Sequence, residues 1–501
     1  MSLQRLRVLA CAALAAALLA PGAARSGGPP PEGRCPDVGG GTGLGERADG
    51  GSPLLQEGDV LRLENLLALA QLFPDEVWSF REAFFYEGMR MEIGSCHRRF
   101  PVADFYREAT DRFASKVKLD DEGNLEGYVA GLPFPPEQIA DGDPEAAMKW
   151  AWNFAHRYRG AGPVGRFRII DLGPGNAPKI FGREFLGASQ TFEGEFFWVT
   201  TGHRADLVAD GYRTPEAKDS IFVAGGRFFE PFNARHLAWR QIRPEKADRK
   251  WKEPDDTFVY VPEMRKPRRA ATAWVDGLYM PRFTVSGESA GGPVPIGKGE
   301  TGGITQIDSI QPTAALNIQS TENLRKGFVG LMVRPNAYQW KLLGQREVLA
   351  PLNATAEGWP GDHDRNYGPS GLSMASDRWD LRYAVVIEGI AKRRTDEVAA
   401  VQLWIDWQTG QPLYFISKRD NGLLLDIGIL VHRFSSDRAG YNDWPGGGRA
   451  HVFDPVAASF YYVPSQGSGW RRESYDVRSL PTDPQTLRKY TTTDTLTRQG
   501  R

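Results

Sequence analysis

The stretch RWDLRYAVVIEG, Arg378 to Gly389, decides the fold class. Successive side chains of an extended chain point to opposite faces. Trp379, Leu381, Tyr383, Val385 and Ile387 therefore share one face, and Arg378, Asp380 and Arg382 share the other. That alternation predicts a strand with one buried side. Working outward, VQLWIDWQTGQPLYFIS, Val401 to Ser417, reads as a hairpin turning near Thr409-Gly410. Upstream, FRII at Phe167–Ile170, EFFWVTT at Glu195–Thr201 and TFVYV at Thr257–Val261 keep the same period. Residues 161–436 are expected to form one mostly antiparallel β domain, interrupted by a Gly/Pro-rich stretch from Gly287 to Gly303.

Ahead of Gly160 the period is that of a helix, and residues 56–160 read as a helical N-terminal region. Pro74-Asp75-Glu76 opens a helix with an acidic first turn, Val77, Phe80, Phe84 and Phe85 share a face, and Gly88 closes it. Phe105, Ala109 and Phe113 mark a second helix. Asp143-Pro144 starts a third, whose Ala147, Trp150, Ala151, Phe154 and Tyr158 form an apolar stripe. No repeat of fixed period occurs.

The chain begins MSLQRLRVLACAALAAALLAPGAARSG. Arg5 and Arg7 precede a short apolar run and the small residues Gly22-Ala23-Ala24, so residues 1–24 read as a secretory signal peptide. Cys11 lies within it, too early for a lipoprotein site. Residues 25–55 read as a flexible Gly/Pro-rich leader, and residues 437–501 as a Gly/Pro-rich tail with one short strand at Ser459–Val463. Removal of the signal leaves Cys35 and Cys96. An oxidising compartment favours a disulfide between them over two free thiols. A net charge of −1 with mixed signs lacks the basic stripe of a nucleic-acid binder.

Three motifs imitate catalytic ones. Gly287-Glu288-Ser289-Ala290-Gly291 matches the G-x-S-x-G nucleophile elbow, but Gly292-Pro293 and Pro295 deny it the helix that must follow. Gly292 to Lys298 imitates a phosphate-binding loop and fails for the same reason, with Gly299 where a hydroxyl residue should meet a metal. IIDLGPGNAP, Ile169 to Pro178, lacks the third glycine of a dinucleotide turn. Asp362-His363-Asp364 is the one tight acid–imidazole cluster, and a solvated turn accounts for it better than a metal site. No cofactor, no metal and no catalytic residue is assigned, and the chain is not read as an enzyme.

At the boundary between helices and sheet the sequence resembles a known family. YVAGLPFP (Tyr128–Pro135), DGDPEAAMKWAWNFAHRYRG (Asp141–Gly160), DDTFVYVPEMRKPRRA (Asp255–Ala270), FVGLMVRPNAYQWKLLGQREVLAPLN (Phe328–Asn353) and RWDLRYAVVIEG occur in this order. Together they resemble the exported Gram-negative family known as domain of unknown function 1329, whose members are labelled outer-membrane lipoprotein-sorting-like. The resemblance implies an α+β fold like the periplasmic carrier LolA, a strongly curved antiparallel half-barrel wrapped over helices. It also implies association with RND-type exporters or outer-membrane proteins, and it carries no catalytic residues over. The leader with Cys35 and the long tail depart from the family pattern.

Pattern and resemblance lead to one expectation: a periplasmic carrier for a lipid or other hydrophobic molecule. A sixteen-carbon chain leaving water gains on the order of 10 kcal/mol. Trp379, Leu381, Tyr383 and Val385 are the candidates for the cavity wall, with Tyr338 and Trp340 alternating as an inward face beyond the Pro335-Asn336 turn. Arg265, Lys266, Arg268 and Arg269 are candidates for contact with anionic head groups or a partner. The alternatives are a non-catalytic structural adaptor of an envelope transport complex and a serine hydrolase using Ser289.

Overall fold

The computed structural model describes residues 28–38, 55–172, 190–215, 219–231, 234–262, 265–270, 277–281, 288–289, 292–293, 328–356, 365–393, 398–438, 441, 444, 448–463, 469–479, 484–492 and 494–499. The expected signal peptide, residues 39–54 of the leader, Asp362-His363-Asp364 and the glycines after Leu172 lie outside them.

The N-terminal region holds strands β1 (Val60–Leu61) and β2 (Met91–Cys96), a two-stranded ribbon of β3 (Lys118–Leu119) and β4 (Leu125–Glu126), and five helices. These are α1 (Leu63–Leu67), α2 (Asp75–Ser79), α3 (Arg81–Phe84), α4 (Asp104–Phe113) and α5 (Ala146–Ala155). The single helix expected after Pro74 is thus two, broken at Phe80, whose backbone leaves helical geometry (φ −113°, ψ 28°). Packing explains the break: Phe80 turns onto Tyr461, 5.5 Å between rings, while Val77, Phe84 and Phe85 enter the core. Helix α5 begins three residues after Asp143, whose carboxylate accepts the Glu145 N–H in a preceding turn.

Two antiparallel meanders follow. The first is β5 (Val164–Leu172), β6 (Gln190–Thr200), β7 (Ser220–Glu230), β8 (Ala238–Pro244), β9 (Asp256–Val261) and β10 (Lys266–Arg269). A two-residue ribbon, β11 (Glu288–Ser289) with β12 (Gly292–Pro293), stands apart. The second meander is β13 (Tyr338–Ala350), β14 (Arg378–Ala391), β15 (Ala400–Asp406), β16 (Pro412–Lys418), β17 (Leu424–Phe434), β18 (Phe453–Tyr462) and β19 (Gly469–Arg478). Strand β19 pairs antiparallel with β5 from Trp470↔Leu172 to Arg478↔Val164, which fuses the meanders into one sheet. Only β2, lying parallel to the start of β14, breaks the antiparallel rule in this sheet among the described residues.

The segment expected to be a tail therefore supplies two ten-residue strands in the middle of the sheet. The expected short strand at Ser459–Val463 covers only the end of β18, and β19 was not expected, for physical reasons. Strand β18, FDPVAASFYY, is buried at every position, so neither face is polar. Strand β19 carries Arg471 and Glu473, which read as surface residues but form a fully buried pair at 2.7 Å.

The sheet bends until its ends meet without closing into a barrel. Arg334, just before β13, donates to Asp255, just before β9, at 2.8 Å and to the carbonyls of Trp251 and Glu253. Asn336 donates to the carbonyl of Ala247. The free edge β10 is KPRR, exposed throughout, and its proline and cations discourage pairing with another chain.

Two large cores result. The outer one packs Leu66, Phe73, Val77, Phe84 and Phe85 against the convex side of the second meander. The C-terminal helices α6 (Pro484–Thr491) and α7 (Asp494–Gln499) cover the convex side of β6 to β10. The inner core lies within the curve, around α5. Cys35 and Cys96 are disulfide-bonded, with Cα atoms 5.3 Å apart, so the described part of the leader is pinned to the end of β2.

Candidate functional site

The concave face is lined by aromatic and aliphatic side chains of both meanders, including Phe167, Phe196, Trp198, Phe222, Trp239, Leu403, Phe415 and Phe460. Helix α5 lies against it through Trp150, Ala151 and Phe154, three members of the stripe expected from sequence. Also packed there are Leu278–Met280 and Phe-Val-Gly-Leu-Met-Val, residues 328–333, which belongs to no strand or helix. Its side chains are 1–6 % exposed. Phe328 stacks on Phe196, with 3.9 Å between ring centroids.

Two buried polar groups hold this inner segment. Glu473 accepts the Phe328 N–H at 3.1 Å, and Arg157 donates to the Leu331 carbonyl at 2.7 Å. Glu473 also takes charge-assisted bonds from Arg471 and the Tyr475 hydroxyl. Burial raises its pKa, although Arg471 and these bonds oppose the shift.

The candidate wall residues are divided between the two cores. Trp379 and Leu381 lie in the outer core, where Trp379 meets Phe73 and Phe85 edge-on at 6.2 Å. Val385 lies in the inner core, and Tyr383, also buried, belongs to neither. Tyr338 is in the inner core with Trp340 packed against it, their rings 5.2 Å apart. Trp340 lies over Gly389, its partner in register, where any Cβ would come within 2.7 Å of the indole. Arg265, Lys266, Arg268 and Arg269 are exposed along the β10 edge, and Arg269 pairs with Asp256. Ser289 sits in the β11–β12 ribbon opposite Gly292, not at a strand-to-helix bend. Strand β5 has antiparallel neighbours on both sides, which removes the dinucleotide reading of Ile169–Pro178.

A second, polar cavity opens where α5 ends, beside the loop after β6. It holds about 390 Å³ of space free of protein atoms, part of it open to solvent. Tyr106, Tyr128, His156, Arg157, Arg159, Thr200, His203 and Arg204 line it. No sequence motif announced it, because its residues come from separate segments and HRYRG reads as an ordinary helix end. His203 Nδ1 donates to the Val129 carbonyl at 2.8 Å, so the neutral ring presents Nε2 as an acceptor. Asp248 Oδ2 stands 3.2 Å from His156 Nε2 and 3.7 Å from His203 Nε2, with no aligned hydrogen bond. Burial, then the neighbouring His156, lowers the pKa of His203 to about 4. Burial would raise Asp248, but the two imidazoles outweigh it and the net shift is downward. Arg159 is lowered to about 10 by burial.

His432, buried on β17, is depressed further, to about 3, by burial and then by Arg157. Such a ring stays neutral in the fold, while the unfolded chain binds a proton below pH 6.5. Its contribution is complete above pH 6.5 and is lost as pH falls toward 3. At pH 4.5 that loss is about 2.7 kcal/mol. Asp380 and Asp454, both raised to about 6 by burial, act oppositely over part of this range. The informative quantity is therefore the stability of His432→Leu relative to wild type, from urea unfolding at pH 7 and 4.5. The variant should gain about 2.7 kcal/mol on wild type over that interval; parallel pH profiles would show that His432 is not held neutral.

No curated protein matches the chain. A DUF1329 family protein from Desulfovibrio piger is similar in structure at 11 % identity, with a TM-score of 0.34, over 67 % of this chain and 92 % of that one. A LolA superfamily protein from Nitrosomonas europaea is similar at 12 % identity, with a TM-score of 0.30, over 67 % of this chain and 92 % of that one. Residues 70–282 and 310–418, from the N-terminal helices through β16, match the family described as protein of unknown function (DUF1329), and to that family the chain belongs.

Proposed function

We propose that the protein is a non-catalytic binding protein or carrier for a lipid or other hydrophobic molecule, and that it takes its cargo on the concave face in place of residues 328–333. One observation carries this: the apolar interior of the curve is completed by a segment with no strand or helix ladder of its own. Burying its five apolar side chains contributes on the order of 10 kcal/mol. An alkyl chain of about 14 methylenes gains a similar amount. Exchange between segment and cargo would thus be nearly balanced, as reversible loading requires. The disulfide and the signal-like N-terminus support a periplasmic setting, and an RND-type exporter or an outer-membrane protein is the partner proposed.

The test is uptake of the neutral fluorophore N-phenylnaphthylamine by wild type and by Phe328→Ala, with native mass spectrometry of protein purified from its host. Phe328→Ala loosens the inner segment and should bind the fluorophore about tenfold more tightly, a 1.4 kcal/mol shift. Absence of uptake by both proteins, with no co-purified lipid, would favour the adaptor instead, in which this interior serves only as a core.

A further inference from the structure

We propose that the polar cavity at the end of α5 is a phosphate-type oxyanion site, with Arg159 as its principal ligand and Thr200 as a second donor. Four observations support this. First, Arg157 and Arg159 are 4 % and 7 % exposed, and neither forms an ion pair among the described residues. In the same wall Arg204 is neutralised by Asp206 in a bidentate pair at 2.7 and 2.6 Å. Arg157 and Arg159 thus hold buried positive charge with no carboxylate of their own, the nearby Asp248 facing His156 and His203 instead, a costly arrangement unless an anion completes it.

Second, the donors are unequal. Arg157 is satisfied by Gln411 Oε1 and the carbonyls of Phe154 and Leu331. Arg159 has the Ala155 carbonyl on Nη1 at 3.0 Å, while its Nε is buried without a partner. The guanidinium lies 3.9 Å over the Trp198 ring, which fixes its plane. A flat, immobilised fork suits oxyanion recognition. Third, the Thr200 hydroxyl lines the same cavity and is also buried without a partner.

Fourth, the lining also includes an acceptor: His203, whose Nε2 lone pair is buried with no hydrogen-bond donor and has the Asp248 carboxylate 3.7 Å away. A carboxylate can only accept, so it would satisfy the arginine and the threonine but not this nitrogen. Hydrogen phosphate, or a phosphate monoester still carrying a proton, accepts from the first two and donates to the third. The ligand class is therefore a protonated phosphate oxyanion, as the free ion or as the head group of an amphiphile. The amphiphile source alone rests on the cargo proposal above. Arg157 makes that link physical, because it lines the cavity and also holds the Leu331 carbonyl of the inner segment.

The experiment measures binding of inorganic phosphate, acetate, dodecyl phosphate and neutral N-phenylnaphthylamine by calorimetry or fluorescence. The proteins are wild type, Arg159→Gln, Thr200→Val and the double variant Arg268→Gln/Arg269→Gln. Wild type should bind phosphate saturably and at least tenfold more tightly than acetate. Arg159→Gln should lose at least tenfold in phosphate affinity, and Thr200→Val, nearly isosteric, about fivefold. If dodecyl phosphate alone shows the Arg159 dependence, the source is a head group; if the free ion shows it, the source is phosphate itself. Failure of phosphate and dodecyl phosphate to bind wild type, insensitivity to both cavity variants, equal binding of acetate, or loss confined to the β10-edge double variant would each overturn the site. Should Arg159→Gln not fold, wild type and Thr200→Val decide alone. Absence of fluorophore uptake alongside Arg159-dependent phosphate binding removes the cargo proposal and leaves the site standing.

Discussion

Asp255→Ala is expected to lower the stability of the fold by about 5 kcal/mol, the upper end for a broken buried ion pair. Asp255 is fully buried and accepts from Arg243 Nε at 3.1 Å and Nη2 at 2.9 Å, from Gln241 at 2.9 Å and from Arg334 at 2.8 Å. Alanine removes the carboxylate that these two guanidiniums, each 2 % exposed, share. The loss should exceed that for a single surface pair by an order of magnitude, because exposed pairs are worth about 0.2–1 kcal/mol. The adjacent Asp256 provides that comparison: its pair with Arg269 is half exposed, and Asp256→Ala should move the urea midpoint hardly at all. Hydrogen exchange adds a local readout, since the carboxylate ties the start of β9 to the segment before β13. A stability loss below about 1 kcal/mol for Asp255→Ala would mean that the two guanidiniums find other partners and that the sheet ends do not depend on this clasp.

Opening the disulfide is expected to cost about 4 kcal/mol, whether by reductant or in the Cys35→Ser/Cys96→Ser variant. The bridged residues are 61 apart in sequence, and most of the effect lies in the unfolded chain, which gains conformational freedom when the cross-link goes. The folded side adds to it. The Gly33 N–H donates to the Cys96 carbonyl at 2.9 Å, and Glu32 accepts the Arg99 N–H at 2.9 Å. Without the bridge these bonds must order the leader unaided. Unfolding followed with and without reductant checks the expectation. Coincident curves would show that the leader contributes nothing to the stability of the sheet it touches.

Much of this architecture was readable where charged and apolar residues alternate, even though β14 is buried on both faces and its Asp380 and Arg382 are 2 % exposed. RWDLRYAVVIEG and the hairpin from Val401 to Ser417 became β14 to β16 close to the expected bounds. Legibility failed where a strand covered on both faces carries no charge at alternate positions. Strand β18 places Val456, Ala457 and Tyr461 in the outer core and Ala458, Phe460 and Tyr462 in the inner one, so it has no exposed face to alternate with. Buried ion pairs hid further structure, because Arg471 with Glu473 looks like solvent-facing charge. On β14 the even period suggested a single wall, yet Trp379 and Val385 lie in different cores. Outer-core membership passes from Trp379 and Leu381 to Ala384 and Val386, so the two faces of the strand change places near Tyr383. The polar cavity was invisible because residues 106, 128, 157, 159, 200 and 203 are gathered by topology rather than by any local pattern.

The seam between β5 and β19 has a consequence for how the molecule is born. Residues 164–172 are synthesised some three hundred positions before their partner at 469–478. Until the ribosome has released almost the whole chain, the first meander carries an unmatched ledge of backbone donors and acceptors, the kind of surface on which nascent chains stick together. Assembly of the two halves is therefore a post-synthetic event. A premature stop between β18 and β19 would leave two half-sheets with no shared strand.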